Sequence, residues 1–273
     1  MIKITEQPSK YRHLEKMPVE EITAAINQED KTVAFAIEKA LPRINQLIKA
    51  IVEKLKSGGR IFYVATGSGG RLSVLDVIEL PTTFGVSKGI FNVILAGGTD
   101  RLIEALEEKE DDTAEGWEML KSQNISEKDI VVGISASGTT PFVLASLEEC
   151  HKRNITTGCI VSNPDSPIAV QADYSVEVIT GPEILAGSTR MKCGTAQKMI
   201  LDMISTTVMT QLGRVEDNRM VNMKMLNNKM MDRSVKMLME KAAMNDYEKA
   251  KELLIKHGSV KKALDFTKAT KSS

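Results

Sequence analysis

The chain has 273 residues, and its 36 Lys and Arg balance its 36 Asp and Glu, so the formal net charge is zero. This length predicts one large or two small domains with a sizeable core, and the charge balance excludes an overall attraction to nucleic acid or anionic lipid. Three cysteines without metal-ligand spacing favour free thiols in a reducing cytoplasm and no metal site. Neither a leader-like apolar core near the start nor a run of membrane-spanning length is present in the sequence, so we expect a cytoplasmic protein with a small charged ligand.

The first predicted elements are an arm and packing helices. Residues 1 to about 20 show no clear period and predict an arm that packs on another element or another subunit. Between residues 19 and 56, apolar side chains recur at spacings of three and four, which predicts two amphipathic helices with a break near Pro42. Gly58 and Gly59 follow and predict the end of the second helix.

From residue 60 onward, short apolar runs alternate with helical segments. The predicted strands are 60–65, 91–95, 129–134, 156–161 and 174–179. The predicted helices are 72–80, 99–123, 141–153 and 199–212. Such alternation requires right-handed crossovers, so it predicts an α/β fold in which a parallel sheet is sandwiched by helices in three αβα layers.

The composition changes after residue 212. Methionines recur along a charged helical stretch, at Met220, Met223, Met225, Met230, Met231, Met237, Met239 and Met244. Their spacing predicts an apolar face that fills an irregular core or a subunit contact, whereas a copper site is disfavoured because no His or Cys accompanies them. Residues 245–273 predict a small helical appendage. We therefore predict three parts, at 1–56, 57–215 and 216–273.

Two loops rich in glycine and hydroxyl groups follow predicted strands, at 66–70 (TGSGG) and 135–140 (SASGTT). Ligands of parallel sheets bind beyond the carboxyl ends of the strands. In the first loop, Gly67 lets the backbone approach a ligand closely, and Ser68 can donate a hydrogen bond. A nicotinamide dinucleotide fingerprint would need a third glycine where Leu72 stands, so this loop alone is a weak signal.

The second loop offers the hydroxyls of Ser135, Ser137 and Thr140 immediately before Pro141, which suits a first helical turn. Hydroxyl and backbone donors can surround a phosphate without a buried cation, in agreement with the neutral charge balance. The structural alternative is a serine-rich loop with a helix cap. We interpret the loop as a phosphate site.

The segment 181–198 (GPEILAGSTRMKCGTAQK) is too polar for a core and lies between a predicted strand and a predicted helix. At a helix entrance, free backbone N–H groups and the helix dipole favour an anion. An ordinary capped helix start is the alternative, but capping explains one Ser or Thr and leaves Arg190, Lys192 and Lys198 unexplained. We interpret this segment as part of a binding site.

Two groups of carboxylates are candidates for proton transfer. Glu79 stands among apolar residues at the end of a helix that Pro81 is predicted to stop, and desolvation there would raise its pKa toward neutrality. A solvent-facing helix glutamate is the ordinary alternative. The acidic run 107–112 is by the same reasoning a solvated helix face. Neither group identifies a catalytic residue without further support.

The pattern Ser-x-Ser-Gly-x-Thr at 135–140 resembles the sugar isomerase (SIS) domain family, whose members bind phosphosugars. Within it, the chain resembles, over nearly its whole length, the family of etherases that release D-lactate from N-acetylmuramic acid 6-phosphate. The motifs that carry this resemblance are Gly58–Arg60, Gly70–Leu72, Glu79 with Pro81, Thr83–Gly85, Ala96–Gly98, Glu110–Asp112, Gly181–Glu183, Gly187–Arg190 and Gly194–Lys198.

The resemblance implies cleavage of the D-lactyl ether at C3 by β-elimination and hydration, giving N-acetylglucosamine 6-phosphate without metal or cofactor. It implies a homodimer acting in amino-sugar degradation and peptidoglycan recycling, with a phosphosugar-binding core at 57–215 and a C-terminal fold like that of ubiquitin-associated domains. The family's acid–base glutamates fall on Glu79, for the lactyl oxygen, and Glu110, for the C2 proton or water. The implied binding residues are Gly67, Ser68, Ser135, Ser137, Thr140, Glu183, Ser188, Thr189 and Arg190.

Four positions depart from the family's usual residues. Gly69, Leu80, Thr82 and Thr139 replace serine, cysteine, proline and arginine, which concerns the phosphate and lactyl contacts but leaves both carboxylates in place. Two other functions are compatible with a phosphosugar site. A non-catalytic regulator related to glucokinase regulatory protein would need neither glutamate, and an aldose–ketose phosphosugar isomerase would not need the Glu79 region.

Overall fold

The computed structural model describes residues 3–104 and 107–271. The chain packs into two compact units, which are described separately. The first comprises the chain through Asp76 together with Gly89–Ile204, and the second comprises Val77–Lys88 and the chain from Ser205 onward. The division at residues 57 and 216 stays a prediction.

The first unit is built on a sheet of five parallel strands. They are β1 (Ile61–Ala65), β2 (Phe91–Leu95), β3 (Ile130–Ser135), β4 (Thr156–Val161) and β5 (Tyr174–Glu177). Their order is β2-β1-β3-β4-β5, and every neighbouring pair is parallel. All residues of β1 and β3 are buried, which explains why these strands are uninterrupted apolar runs. The predicted parallel α/β fold is confirmed.

Helices cover both faces of the sheet. They are α1 (Val19–Lys56), α2 (Gly67–Thr83), α3 (Glu115–Ser122), α4 (Pro141–His151), α5 (Pro167–Gln171) and α6 (Lys192–Gln211). On one face, α3, α4 and α5 contribute to a single core around Phe62 and Phe142. Glycines permit close approach on both sides, since an ideal Cβ at Gly133 would lie 2.7 Å from Val143 Cγ1 on α4, and one at Gly158 would lie 2.5 Å from Leu47 Cδ1 on α1.

The long helix α1 corrects one sequence-based prediction. It runs through Pro42 without a break, so the expected pair of helices is wrong. A proline inside a helix costs about 3 kcal/mol because it removes one backbone hydrogen bond and clashes with the preceding turn. Ile37, Ile44, Leu47 and Ile51 are buried almost completely along one stripe, and each such side chain stabilises by about 1.5–3 kcal/mol. Packing therefore outweighs the proline.

Other helix bounds also differ from the prediction. The helix α2 begins at Gly67 and continues past Pro81, and α6 begins at Lys192 rather than at 199. The expected helix 99–123 is replaced by two short 3-10 segments, Thr99–Arg101 and Glu107–Asp111, followed by α3. Asp112 separates the second segment from α3, because its carboxylate accepts hydrogen bonds from the N–H groups of Ala114 and Glu115 and so begins a new helix.

The second unit contains a small helical core. A two-stranded antiparallel ribbon of β6 (Val215–Glu216) and β7 (Arg219–Met220) precedes α7 (Asn228–Ala242), α8 (Tyr247–His257) and α9 (Val260–Lys271). Met237 is buried in this core, and Met231, Met239 and Met244 pack against it, so these methionines fill a core as expected. The likeness to ubiquitin-associated domains stays a prediction. None of the described helices is long and apolar enough to span a membrane.

Gly59→Ala is expected to lower the free energy of unfolding by about 3 kcal/mol, the upper end of the usual overpacking cost. An ideal Cβ at Gly59 would lie 2.0 Å from the carbonyl oxygen of Lys128, a backbone atom that cannot rotate away. Gly58→Ala is the matched control, because nothing lies within 4 Å of a Cβ there and the residue has a φ of +82°. Gly58→Ala should lower the free energy of unfolding by only about 1–2 kcal/mol, because alanine is unfavourable in the left-handed conformation. Equal destabilisation in denaturant titrations would contradict the clash.

Candidate active site

A cavity of about 380 Å³ lies in the first unit, lined by residues that follow β1, β2 and β3 and by parts of 187–197. In the order β2-β1-β3-β4-β5, the chain leaves β1 and β3 toward opposite sides of the sheet. The loops that follow these two strands therefore diverge and leave a crevice, which is the usual place for a ligand in an open parallel sheet.

The loop after β1 forms one wall of the cavity. Gly67 begins α2 with a φ of +48°, and an ideal Cβ there would lie 3.0 Å from Glu110 Oε1. Glycine thus allows the Glu110 carboxylate to lie directly against the loop. At Gly70 a Cβ would lie 2.2 Å from Leu95 Cδ1, so a second glycine seats the helix start against β2. Ser68 lies in the first turn of α2, where backbone N–H groups are not used by the helix.

The loop after β3 holds a cluster of hydroxyl groups. Ser135 Oγ lies 3.2 Å from Ser137 Oγ and 2.8 Å from Thr140 Oγ1. The N–H of Gly138 donates to Ser135 Oγ, and the N–H of Thr139 donates to Ser137 Oγ. A hydroxyl that accepts from a backbone N–H keeps its own proton, which it can donate to a neighbouring hydroxyl of the cluster or, after rotation, to a ligand. The loop therefore presents preorganised donors to the cavity.

The hydroxyl loop is itself held by the chain after β4. Asn163 Nδ2 donates to the Ser137 carbonyl at 3.0 Å, and the N–H of Ile168 donates to the Gly138 carbonyl at 3.1 Å. Gly138 has a φ of +71°, and a Cβ there would lie 2.2 Å from Ser166 Oγ. Only glycine fits this close approach, so the loop geometry is fixed by its neighbours.

The segment before α6 supplies a further wall, through Ser188, Thr189 and Arg190. Glu183 is not among the lining residues. It is buried, and its two carboxylate oxygens accept hydrogen bonds from the N–H groups of Lys192 and Cys193, each at 2.9 Å. These bonds fix the beginning of α6 and place a negative charge at its N-terminus, where the helix dipole favours it. The geometry gives Glu183 a structural role, and the substrate contact that the resemblance implies for it stays a prediction.

A buried ion pair anchors the same helix to α1. Lys192 Nζ lies 2.8 Å from Glu29 Oε2, and the two side chains are only 4% and 8% exposed. The arm adds Lys10 Nζ at 2.6 Å and Tyr11 Oη at 3.1 Å from Glu29 Oε1. Burial alone would raise the pKa of Glu29, but the hydrogen bonds from Lys10 and Lys192 outweigh it and lower the pKa to about 2. Glu29 is therefore ionised at neutral pH.

The two candidate catalytic glutamates have different settings. Glu110 lies half-buried in the 3-10 segment Glu107–Asp111 and lines the cavity, so the interpretation of 107–112 as a solvated helix face is wrong for this residue. Glu79 is an exposed residue of α2, in the part of the chain that belongs to the second unit, and it does not line this cavity. It is exposed rather than desolvated, in line with its ordinary interpretation.

Four lining residues with charged or amide side chains were not assigned from the sequence: Glu6, Arg71, Glu104 and Gln197. Arg71 donates to the carbonyls of Leu102 and Glu104 and so ties α2 to the chain after β2. Gln197 Oε1 would lie 3.2 Å from a Cβ at Gly69. If the helix α6 had been predicted to begin at Lys192, Gln197 would have been placed near its N-terminal end and could have been recognised as a candidate site residue. Glu6 has no local signal, because it belongs to the arm and comes to the cavity only through tertiary packing.

Within residues 3–104 and 107–271, no group of three or more His, Cys, Asp or Glu is placed to hold a metal ion. Cys150, Cys159 and Cys193 are free and buried. Burial raises the pKa of the Cys193 thiol to about 11, although Thr180 lies within hydrogen-bond distance. This thiol is protonated at neutral pH, so it is not a thiolate nucleophile.

The chain matches two protein-family models and resembles known proteins over nearly its whole length. The SIS domain model matches residues 112–207, and the model for the glucokinase regulatory protein N-terminal SIS domain matches 43–151. N-acetylmuramic acid 6-phosphate etherase of Bacteroides fragilis is 52% identical over 98% of this chain and 95% of its own length. The enzyme of that name from Porphyromonas gingivalis is 50% identical over 97% of each chain.

A solved structure adds support for the fold alone. A phosphoheptose isomerase from Francisella tularensis matches with a TM-score of 0.54 at 17% identity, covering 69% of this chain and 98% of that one.

Lys192→Met is expected to lower the free energy of unfolding by about 3 kcal/mol at neutral pH, because it leaves a buried carboxylate with only its arm partners. The folded-state pKa of Glu29 is depressed, so the stability from its ionisation is present above its ordinary pKa of 4.5 and is lost as the pH falls through about 2. The difference in the free energy of unfolding between Lys192→Met and wild type should therefore be constant from about pH 5 to 8 and shrink toward pH 2.

Lys152→Met is the matched control for Lys192→Met. It breaks an ion pair with Glu149 in the same unit, but its side chain is 64% exposed, so its removal should cost at most about 1 kcal/mol. Thermal unfolding of both variants across this pH range measures the contrast. Equal losses would show that the Glu29 pair is no more important than a surface pair.

Proposed function

The chain belongs to the N-acetylmuramic acid 6-phosphate etherase family, and we propose that it cleaves the D-lactyl ether of its substrate to give N-acetylglucosamine 6-phosphate and D-lactate. The observation that carries the proposal is near full-length similarity at about half identity to proteins of that name. The cavity supports it, because a carboxylate and a hydroxyl loop line the same space. The names of the relatives favour this activity over a phosphosugar isomerase or a non-catalytic regulator.

The chemistry explains why carboxylates are needed. An alkyl ether is a poor leaving group, so direct displacement is slow. Opening the sugar to its aldehyde makes the C2 proton acidic, and removal of that proton allows the C3–O bond to break. The departing lactyl oxygen takes a proton, and water then adds at C3. Each of these steps moves a proton, and a positioned carboxyl group contributes about 10²–10⁴-fold to such a step.

Glu110 is our choice for removal of the C2 proton or activation of water. Its carboxylate lines the cavity and lies against Gly67, at the start of α2. In the described residues no hydrogen bond or ion pair engages this carboxylate, which leaves both oxygens available to substrate or water. A general base must be able to reach the proton that it removes, and the position of Glu110 in the cavity wall supports this role.

Glu79 is our choice for the acid that protonates the lactyl oxygen. The support for this role is the match of Glu79, Pro81 and Thr83–Gly85 to the family's motif. Its exposed position on α2 leaves the carboxyl group open to exchange protons with water. The assignment of the two proton transfers to Glu79 and Glu110 remains part of the proposal.

The phosphate is proposed to bind at the hydroxyl loop. Ser135, Ser137 and Thr140 present hydroxyl donors that are already ordered by one another and by backbone N–H groups. Ser68 adds a donor from the first turn of α2, where the helix dipole favours an anion. The segment before α6 also lines the cavity, through Ser188, Thr189 and Arg190. Arg190 is an exposed residue, and its guanidinium supplies positive charge.

We also propose that the protein is a cytoplasmic homodimer that acts in amino-sugar degradation and peptidoglycan recycling, without a cofactor. The resemblance to the etherase family supports each of these statements. Size-exclusion chromatography with light scattering tests the dimer, and a monomer at micromolar concentration would contradict it.

Ser137→Ala is expected to weaken substrate binding about ten- to a hundredfold, because a hydrogen bond to a charged group is worth about 1.5–3 kcal/mol. The Michaelis constant for the phosphorylated substrate measures the effect. The same substitution should change binding of unphosphorylated muramic acid much less. An unchanged Michaelis constant would rule out a phosphate contact through this hydroxyl.

Glu110→Gln and Glu79→Gln are each expected to lower turnover about 10²–10⁴-fold, since glutamine keeps the shape but cannot transfer a proton. If Glu110 removes the C2 proton, its variant should abolish deuterium exchange at C2, whereas Glu79→Gln should retain it. Glu108→Gln, at an exposed neighbouring position, is the control and should leave turnover within about twofold. Near-normal turnover of either variant would eliminate the role given to that glutamate.

Reaction in heavy-oxygen, deuterated water tests the whole proposal. Elimination followed by hydration should release D-lactate that keeps the original ether oxygen. The sugar product should carry solvent oxygen at C3 and deuterium at C2, as mass spectrometry and NMR can measure. No lactate would refute the activity. Solvent oxygen in lactate, with the C2 hydrogen retained, would indicate attack on the lactyl carbon instead.

A further inference from the structure

One buried residue of the N-terminal arm, Thr5, is bonded to the side chain that also holds the hydroxyl loop. Thr5 lies in the 3-10 segment Ile4–Glu6 and is completely buried. Its N–H donates to Asn163 Oδ1 at 3.1 Å, and its Oγ1 accepts from Asn163 Nδ2 at 2.9 Å. Asn163 Nδ2 also donates to the carbonyl of Ser137. The arm is therefore held by the same amide group that positions the loop proposed to bind phosphate.

This attachment brings the next residue, Glu6, to the cavity. The Glu6 carboxylate lines it, and an ideal Cβ at Gly187 would lie 3.3 Å from Glu6 Oε2. Gly187 immediately precedes the lining residues 188–190. Among the side chains that the structure describes, which leave out those of residues 101, 107 and 271, no group donates a hydrogen bond to this carboxylate and no cation pairs with it. A charged acceptor is thus carried to the cavity without being used by the fold.

We infer that Glu6 is a substrate-binding residue, and that its carboxylate accepts a hydrogen bond from a hydroxyl or amide N–H group of the sugar. The inference rests on the proposed function. A carboxylate repels a phosphate, so Glu6 is suited to the uncharged part of the ligand, while the hydroxyl loop is suited to the phosphate. An acceptor of this kind favours a sugar with a correctly placed donor over one that lacks it.

Calorimetric titration with N-acetylglucosamine 6-phosphate and, separately, with inorganic phosphate tests the inference. Glu6→Ala should weaken binding of the sugar phosphate about ten- to a hundredfold, the usual effect of losing a hydrogen bond to a charged group. It should leave phosphate binding within about twofold, because the hydroxyl loop is unchanged. Glu6→Gln keeps an acceptor oxygen and should recover part of the affinity. Glu15→Gln, an exposed acidic residue of the same arm, should behave as wild type.

The attachment through Thr5 offers a second test. Thr5→Val removes the hydroxyl that accepts from Asn163, so it should loosen the arm and weaken binding of the sugar phosphate. If the arm acts through Glu6, the two substitutions should not be additive. The affinity of the double variant Thr5→Val with Glu6→Ala should then lie within about threefold of that of the weaker-binding single variant. Fully additive losses would overturn the inference that the arm works by presenting Glu6.

Two outcomes for Glu6→Ala would also overturn the inference. One is unchanged affinity for the sugar phosphate. The other is a lowered melting temperature with an equal loss of affinity for both ligands, which would assign Glu6 to the fold. The lactate assay on the same preparations keeps the two proposals apart. If the wild type binds the sugar phosphate but releases no lactate, the etherase activity is refuted while the Glu6 measurement stands.

Discussion

The candidate site depends on one constraint, which is that all five strands of the sheet are parallel and end at the same edge. The loops after β1, β2 and β3 are therefore neighbours, although they are separated by tens of residues in the chain. The order of the strands adds a second consequence, because the chain turns to opposite sides after β1 and β3. A glycine loop and a hydroxyl loop thus line one crevice, and Glu110 reaches it from the chain that follows β2.

Charged groups away from the cavity hold its walls in place. Glu183 fixes the first N–H groups of α6, and Glu29 pairs with Lys192 at the same turn. A buried carboxylate with two or three donors is far more restrictive than an apolar contact, because an imperfect geometry leaves a charge unsatisfied. The beginning of α6, and with it the segment 187–190, is specified by these carboxylates. Their role in the site is positional.

The strands and the two loops could be predicted because their signals are local. A strand buried on both faces is an uninterrupted apolar run, and the hydroxyls of Ser135, Ser137 and Thr140 follow such a run directly. The start of α6 was missed because the carboxylate that caps it, Glu183, lies nine residues before Lys192. The predicted break at Pro42 was wrong for a similar reason. The helix α1 continues because neighbouring side chains are buried against distant parts of the chain, which no local pattern shows. Glu6 has no local pattern, because its position depends on packing between distant parts of the chain.

The long-range contacts of the arm and of α1 also limit when the first unit can complete its structure during synthesis. Thr5 and its partner Asn163 are 158 residues apart, and Glu29 and Lys192 are 163 residues apart. During synthesis Thr5 and Glu29 emerge well before their partners, Asn163 in the chain after β4 and Lys192 in α6, which follow only after most of the first unit has been translated. Contacts of such long sequence separation carry an entropic cost of loop closure, and they cannot form until both partners have been made. A nascent chain therefore has its glycine loop long before it has a completed site, so binding of a sugar phosphate can stabilise only the nearly finished protein.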